Sequence, residues 1–336
     1  MKELPVMKPY IGGEWIDSES QKYTTIYDPS TGKPIAQVPQ CTAAEVEKAI
    51  AAAKAAYPAW KNTPVRNRAS IMMKLRNLLE RDKEELTRMV ATENGKCWSE
   101  AAGDVAKALE MTELACSAPS LLMGESLMDT SSGYDTTLYR EPIGVFAGIA
   151  PWNFPAMIPV GWMAPLAIVC GNTFVLKPAS TTPMTCMKIA ELYKEAGIPD
   201  GVFNIVPCSR NEAEILLTHP DVRGITFVGS TEVGLHVYST AAAHGKRVQA
   251  LCEAKNHALV RKALQLAGRE DLIGWNKHCL VPPEKKPYLP AEERDRRERK
   301  KAQSAAKSAE KPANIREKAP KKGEKPAPKA EKSGKY

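Results

Sequence analysis

The sequence predicts an α/β fold: a doubly wound, mostly parallel sheet preceded by helices and followed by a basic tail. Three observations predict it. Between residues 141 and 260, short apolar runs alternate with segments of helical periodicity. The runs are nearly uninterrupted, as in strands covered on both faces. Strand and helix follow one another in repeated order, which implies a parallel sheet. Such a sheet carries its ligand site at the carboxyl ends of its strands, in the manner of dinucleotide-binding folds.

In chain order, residues 1–140 open with strand-like pieces such as Thr24-Thr25-Ile26-Tyr27. The turn residues Asp28-Pro29-Ser30-Thr31-Gly32 follow. A helix is predicted over 43–59, with Val46, Ile50 and Ala53 at helical spacing behind a Thr42 cap. Another is predicted as one element over 65–90, placing Ile71, Leu75, Leu78, Leu79, Leu86 and Val90 on a face. Strands are predicted at 143–150, 173–177, 202–206, 224–228 and 248–251. Helices fall between them at 156–170, 184–196, 210–217 and 232–243.

Residues 261–290 form a short mixed segment, and the rest is rich in Lys, Ala, Glu and Pro with almost no large apolar residue. That composition cannot bury enough surface to offset the entropy of ordering it, so the tail is predicted disordered from about Glu292.

The net charge of +8 resides in the tail. Residues 291–336 hold 16 Lys and Arg against 8 Asp and Glu, and the preceding 290 residues hold 31 of each. The body therefore carries no global electrostatic signature of an anionic partner. Binding of nucleic acid or an acidic partner through the tail stands as an alternative function. Against it, acids are interspersed and no aromatic stacks precede Tyr336. The cysteines Cys41, Cys97, Cys116, Cys170, Cys186, Cys208, Cys252 and Cys279 show no paired spacing, which speaks against a disulfide framework or a zinc site. The N-terminus has no apolar signal core, and no run approaches the roughly 20 apolar residues of a membrane span. A cytoplasmic location is the expectation.

Chemistry-bearing residues stand at successive strand ends. Ala150-Pro151-Trp152-Asn153-Phe154-Pro155 follows the first strand. An Asn there can aim its amide at a developing oxyanion, although by spacing alone a helix cap is the plainer reading. Lys177-Pro178-Ala179-Ser180 follows the second, where a lysine can donate to ribose hydroxyls or an adenosine phosphate; taken alone, it reads as a solvated lysine. Phe227-Val228-Gly229-Ser230-Thr231-Glu232-Val233-Gly234 opens a helix after the fourth. Glycine lets a phosphate approach the backbone there, and first-turn N–H groups receive it.

In order and spacing, these motifs resemble the aldehyde dehydrogenase superfamily, as do Tyr10-Ile11-Gly12-Gly13-Glu14-Trp15 and the 28–32 turn near the start. Ala118-Pro119-Ser120-Leu121-Leu122-Met123-Gly124-Glu125 is similar to the CoA-acylating methylmalonate-semialdehyde dehydrogenases. So is His244-Gly245-Lys246-Arg247-Val248-Gln249-Ala250 with Ala254-Lys255-Asn256-His257. The resemblance covers about the first 260 residues. It implies an N-terminal part of the cofactor domain over 1–140 and an NAD-binding core over 141–260.

It also implies Asn153 as oxyanion donor, with Ala150, Trp152, Lys177, Ser180, Thr181, Gly229, Ser230 and the backbone near Cys252 around the cofactor. NAD is the implied cofactor and CoA the acyl acceptor. Ser180 stands where many members place a ribose-binding glutamate, which leaves NADP open. Leu251 occupies the position of the water-activating base of hydrolytic members, and leucine cannot accept a proton.

The family's nucleophilic cysteine is expected near Lys285, within Pro283-Glu284-Lys285-Lys286. Cys279, beside His278, has neither the motif nor the register. The remaining catalytic domain and the C-terminal oligomerisation strand are absent from the resemblance, so the family's homo-oligomer is expected to be compromised. Residues 261–281 instead resemble the C-terminal end of YgiQ-type radical SAM proteins, without the C-x-x-x-C-x-x-C motif of an Fe–S cluster. The expectation is a chain that is catalytically inactive alone, with a dinucleotide-binding fragment as the companion reading.

Overall fold

Turn chemistry shapes the start of the chain. Gly12 and Gly13 adopt φ of 64° and 89° between strands β1 (Tyr10–Ile11) and β2 (Glu14–Trp15), a region open to glycine at little cost. A hairpin follows, β3 (Tyr23–Asp28) and β4 (Lys33–Pro39). Its turn is closed by the Asp28 carboxylate, which accepts from the Ser30 N–H at 2.8 Å and the Thr31 hydroxyl at 3.0 Å. This computed structural model describes residues 4–252 and 269–272. The sequence readings on residues 254–257, His278, Cys279, the stretch near Lys285 and the tail lie outside them.

Four helices build the next layer. Helix α1 (Ala43–Asn62) starts with a capping box, in which Thr42 accepts from the Glu45 N–H at 3.3 Å and donates its own N–H to Glu45 at 2.7 Å. The helix predicted over 65–90 is two, α2 (Val65–Arg81) and α3 (Lys83–Asn94). They part at Asp82, with φ −98° and ψ 13°, where the Arg81 guanidinium lies 2.7 Å from its carboxylate. The bend lets Leu75 and Leu79 before it and Leu86 and Val90 after it enter one core. Helix α4 (Trp98–Cys116) was not anticipated. Its buried stripe includes Ala101, Ala108 and Ala115, which contrast little with their surroundings. A short helix α5 (Ala118–Leu121) leads to a hairpin, β5 (Ser126–Ser131) and β6 (Tyr134–Thr137), whose residues are all exposed.

From here the predicted alternation holds: β7 (Val145–Ile149), α6 (Ala164–Val169), β8 (Thr173–Lys177), α7 (Met184–Ala196), β9 (Phe203–Ile205), α8 (Arg210–Thr218), β10 (Val222–Gly229), α9 (Thr231–Ala243) and β11 (Arg247–Cys252). The helix predicted over 156–170 begins instead as a π-helical segment, Met157–Met163. Pro159 and Pro165 carry no N–H for regular α bonding. Gly161 lies so close to α4 that a Cβ there would sit 2.8 Å from the Ala108 Cα.

The large sheet runs β11-β10-β7-β8-β9-β1-β2. Its five strands from β11 to β9 are parallel, and β1 and β2 pair antiparallel at one side. Successive residues of β8 serve opposite faces: Phe174 and Leu176 join the core beneath α2, α4, α6 and α7, while Val175 joins the core of α1, α8 and α9. The strand predicted to be buried on both faces at 248–251 is, among the described residues, an outer strand. Arg247, Gln249 and Leu251 of β11 are exposed and the residues between them half-buried.

The chain divides into two compact units, Met1–Asn256 and His257–Tyr336. In the second, the described residues form a 3-10 turn, Glu270–Leu272, with the Arg269 guanidinium 2.9 Å from the Asp271 carboxylate. No helix among the described residues is long and apolar enough to cross a membrane.

Two buried polar groups yield tests. The Asn172 amide oxygen accepts the Ile143 and Gly144 N–H groups at 2.8 and 3.2 Å, and its nitrogen donates to Ala167 at 3.1 Å. Asn172→Ala leaves these groups unpaired and is expected to cost about 1–3 kcal/mol in urea unfolding; an unchanged midpoint would remove Asn172 from the account of this turn. Glu93 is buried, and burial pushes its carboxyl from 4.5 up to about 7, against the opposing pull of the Met184 and Thr185 N–H groups. Between these values the folded state keeps a proton that the unfolded state has lost. Its contribution to stability therefore falls as pH rises from 4.5 to about 7 and is level above. Glu93→Gln should remove that slope, on the order of 3 kcal/mol at most, and a variant with the parent's pH profile would contradict the assignment.

Candidate functional site

The sheet's strand order reverses between β7 and β10: successive parallel strands run outward on one side through β8 to β9 and on the other to β11. Crevices at the carboxyl ends of strands at such a point receive ligands in doubly wound folds. A cleft of about 810 Å³ lies there, lined by the loop after β7, the end of β10, the start of α9 and the end of β11. Six of the nine candidate site residues line it: Ala150, Trp152, Asn153, Gly229, Ser230 and Cys252. The apolar remainder includes Met157, Ile158, Trp162, Val233 and Leu251.

The loop carrying Asn153 is tied down on both sides. The Ala150 N–H donates to the Lys177 carbonyl at 3.1 Å, joining the ends of β7 and β8. The Trp152 carbonyl accepts from the Asn94 amide at 2.8 Å and the Thr182 hydroxyl at 3.0 Å, leaving the indole exposed. Asp104, buried in α4, accepts the Met157 N–H at 2.7 Å and the Lys96 ammonium at 3.0 Å. That ammonium lies 3.9 Å from the Phe154 ring centroid, a cation–π contact. Burial raises the Asp104 carboxyl above its ordinary value, with the bonds from Met157 and Lys96 opposing it. Asn153 itself is exposed and its side chain makes no hydrogen bond among the described residues. It does not cap the following helical segment, whose N-cap is Ala156, so the plainer sequence reading is corrected.

On the opposite wall, Ser230 is the N-cap of α9 with extended dihedrals and no side-chain cap bond. The N–H groups of Thr231, Glu232 and Val233 have no acceptor among the described residues, the arrangement in which helix N-termini receive anions. The absence of a side chain at Gly229 has a packing use: a Cβ there would stand 2.5 Å from the Phe227 ring. Gly234 lets α9 approach β11, since its Cβ would meet the Cys252 sulfur at 2.4 Å.

The other three candidates are placed elsewhere. Lys177 lines an adjoining cavity of about 230 Å³ with Ile149, Arg210, Glu214, Val233 and His236. Burial holds its ammonium below the ordinary lysine value. Thr181 is exposed and, with Trp152, Glu93 and Asn94, lines a third cavity. Ser180 is half-buried and lines none of these three. The sequence reading missed Arg210, Glu214 and His236. Their signal was faint: Arg210 and Glu214 share one face of α8, and Val233 and His236 stand three apart on α9. Lys246, from the segment similar to the acylating dehydrogenases, is buried away from the cleft. It donates to the Val222 carbonyl at 2.8 Å and to that of His219, at the amino end of β10.

The aldehyde dehydrogenase family model matches residues 15–269, and a domain of unknown function (DUF3362) matches residues 240–335. Malonate-semialdehyde dehydrogenase 2 of Geobacillus kaustophilus is 52% identical over 257 residues, which are 76% of this chain and 53% of that protein. The structure of methylmalonate-semialdehyde dehydrogenase from Oceanimonas doudoroffii superposes with a TM-score of 0.72 at 41% identity, covering 75% of this chain and 51% of that one. A putative methylmalonate-semialdehyde dehydrogenase from Sinorhizobium meliloti 1021, complexed with NAD, gives 0.73 at 37% identity, with 75% and 51% covered. The chain thus spans about half the length of these relatives, and over that half it belongs to the aldehyde dehydrogenase family.

Proposed function

We propose that residues 4–252 are the dinucleotide-binding part of a CoA-acylating (methyl)malonate-semialdehyde dehydrogenase, and that this chain alone binds dinucleotide without oxidising aldehyde. The observation that carries the reading is the cleft at the sheet's reversal point. There the unbonded Asn153 amide and the acceptor-free N-terminus of α9 line one space. A nicotinamide dinucleotide, when bound, supplies the two-electron acceptor.

The chain's own groups divide the remaining work. The first-turn N–H groups of α9 and Ser230 are suited to the anionic phosphates. The Lys177 ammonium is suited to ribose oxygens. The Asn153 amide, on a loop anchored through Trp152 and Met157, is suited to donate to an aldehyde oxygen as negative charge gathers on it. Met157, Ile158, Trp162 and Leu251 give the cleft apolar walls that limit water. No described lining residue of the cleft is a carboxylate or an imidazole. Leu251, 42% exposed at the end of β11, offers no proton acceptor. A thioester formed in a site of this composition has no side chain to activate water, which suits release to a thiol such as CoA.

The expectation of inactivity rests on residues 283–286, where the resemblance calls for a cysteine and the chain has Pro283-Glu284-Lys285-Lys286. The test combines NAD binding by titration calorimetry with NADH formation from methylmalonate semialdehyde, NAD and CoA. Saturable binding with no NADH is expected. CoA-dependent turnover abolished by Cys279→Ala would overturn the inactivity, and absence of NAD binding would overturn the cofactor role.

A further inference from the structure

The two faces of the sheet are finished unequally at β10 and β11. Side chains alternate between the faces along each strand. Ile225 and Phe227 of β10, with Val248 and Ala250 of β11, belong to the core that includes Val237 and Ala241 of α9. Thr226 and Val228 stand opposite Gln249 and Leu251 in register and serve the other face. With Phe146 of β7 they floor a trough of about 600 Å³, walled by Met111 of α4 and Leu166 of α6. Gln249 and Leu251 are exposed there among the described residues. Parallel strands are ordinarily covered on both faces, so the sheet is one layer short over β11. Its second edge is open as well, since β11 pairs only with β10 among the described strands. Trp162, Val228 and Leu251 line both this trough and the cleft that holds Asn153, which makes the two one continuous surface. Trp162 and Leu251 put apolar area in water at the join, as docking surfaces do.

We propose that the trough docks a second polypeptide, the catalytic half of an aldehyde dehydrogenase supplied in trans, and that the assembled pair oxidises aldehyde where this chain alone does not. The inference rests on the dinucleotide reading above and extends it to a partner. The family match ends shortly past β11 and spans about half the length of the relatives. The missing layer and the missing half therefore fall at one place in the fold. A helix with one apolar stripe fits a trough of this lining, and a strand of the same partner can extend the sheet at β11. A second copy of this chain brings the same open trough and no surplus layer to fill it. The join at Trp162 and Leu251 brings a seated partner to the cleft, where its thiol meets the aldehyde. In the net reaction the hydride leaves the aldehyde carbon for NAD, and the acyl group replaces the proton of the CoA thiol. Aldehyde, NAD and CoA thus give a thioester, NADH and a proton.

The full chain is co-expressed with the C-terminal part of the Geobacillus kaustophilus relative that the match leaves uncovered. That relative's own N-terminal part, co-expressed with the same piece, is the standard. A one-to-one complex that forms NADH from methylmalonate semialdehyde, NAD and CoA is expected. Gln249→Glu, which buries a charge on the trough floor, should weaken the complex by roughly tenfold or more, while Gln249→Leu should leave it intact. NAD titration of each variant alone reports that it is folded. Association indifferent to Gln249→Glu places the partner elsewhere and overturns the docking. So does the absence of complex and NADH where the standard pair gives both; NAD binding by the chain alone then shows that the dinucleotide reading stands, and its absence that both fall. Hydrogen exchange gives a second measurement that needs no partner. The β11 amides not bonded to β10 should exchange freely in the full chain; protection there means that the face already has an occupant, from a second copy or from elsewhere in the chain, and overturns the proposal.

Discussion

The loop after β7 is shaped by a carboxylate that belongs to another layer of the fold. Asp104 of α4 reaches from the helical layer to the Met157 N–H, with Lys96 balancing its charge and resting on Phe154. Glu93 of α3 does the same after β8, receiving the first N–H groups of α7 from Met184 and Thr185. Each carboxylate gives up hydration, and each is held by hydrogen bonds in an environment where an unpaired group would be costly. Asn94, beside Glu93, holds the Trp152 carbonyl from the same direction. The loops bearing the candidate site are thus fastened to helices α3 and α4, and their positions depend on how those helices pack.

That packing is tight where the site needs it. Gly161 lets the π-helical segment lie directly on Ala108 of α4. Trp60 closes the same layer from below, its indole N–H donating to the Ile168 carbonyl at 2.8 Å. On the other face, Gly234 admits the Cys252 sulfur, which brings the ends of β10, β11 and α9 to one cleft. The cleft's shape follows from these close approaches, and its apolar lining from the residues that meet there.

The core strands and the helices between them were legible because strand and helix periods differ and each apolar run is bounded by turn residues. The helices of the N-terminal layer were less so. The 65–90 stretch keeps an apolar face through Asp82, so the bend there leaves little trace in the pattern. The alanine stripe of α4 is buried because α2, α3 and the π-helical segment crowd it. β11 reads as a buried strand by composition, yet it stands as an outer strand among the described residues.

Residue type and order specified the alternation of strand and helix, the turn at Asp28, the helix cap at Thr42 and the set of motifs at strand ends, since these depend on neighbours within a few positions. Whether Asn153 caps a helix or stays unbonded, where Lys177 points its charge, and that Arg210, Glu214 and His236 share a cavity with it were decided by tertiary packing. Those relations join residues tens of positions apart, and only the crossing of helices over a parallel sheet brings them together.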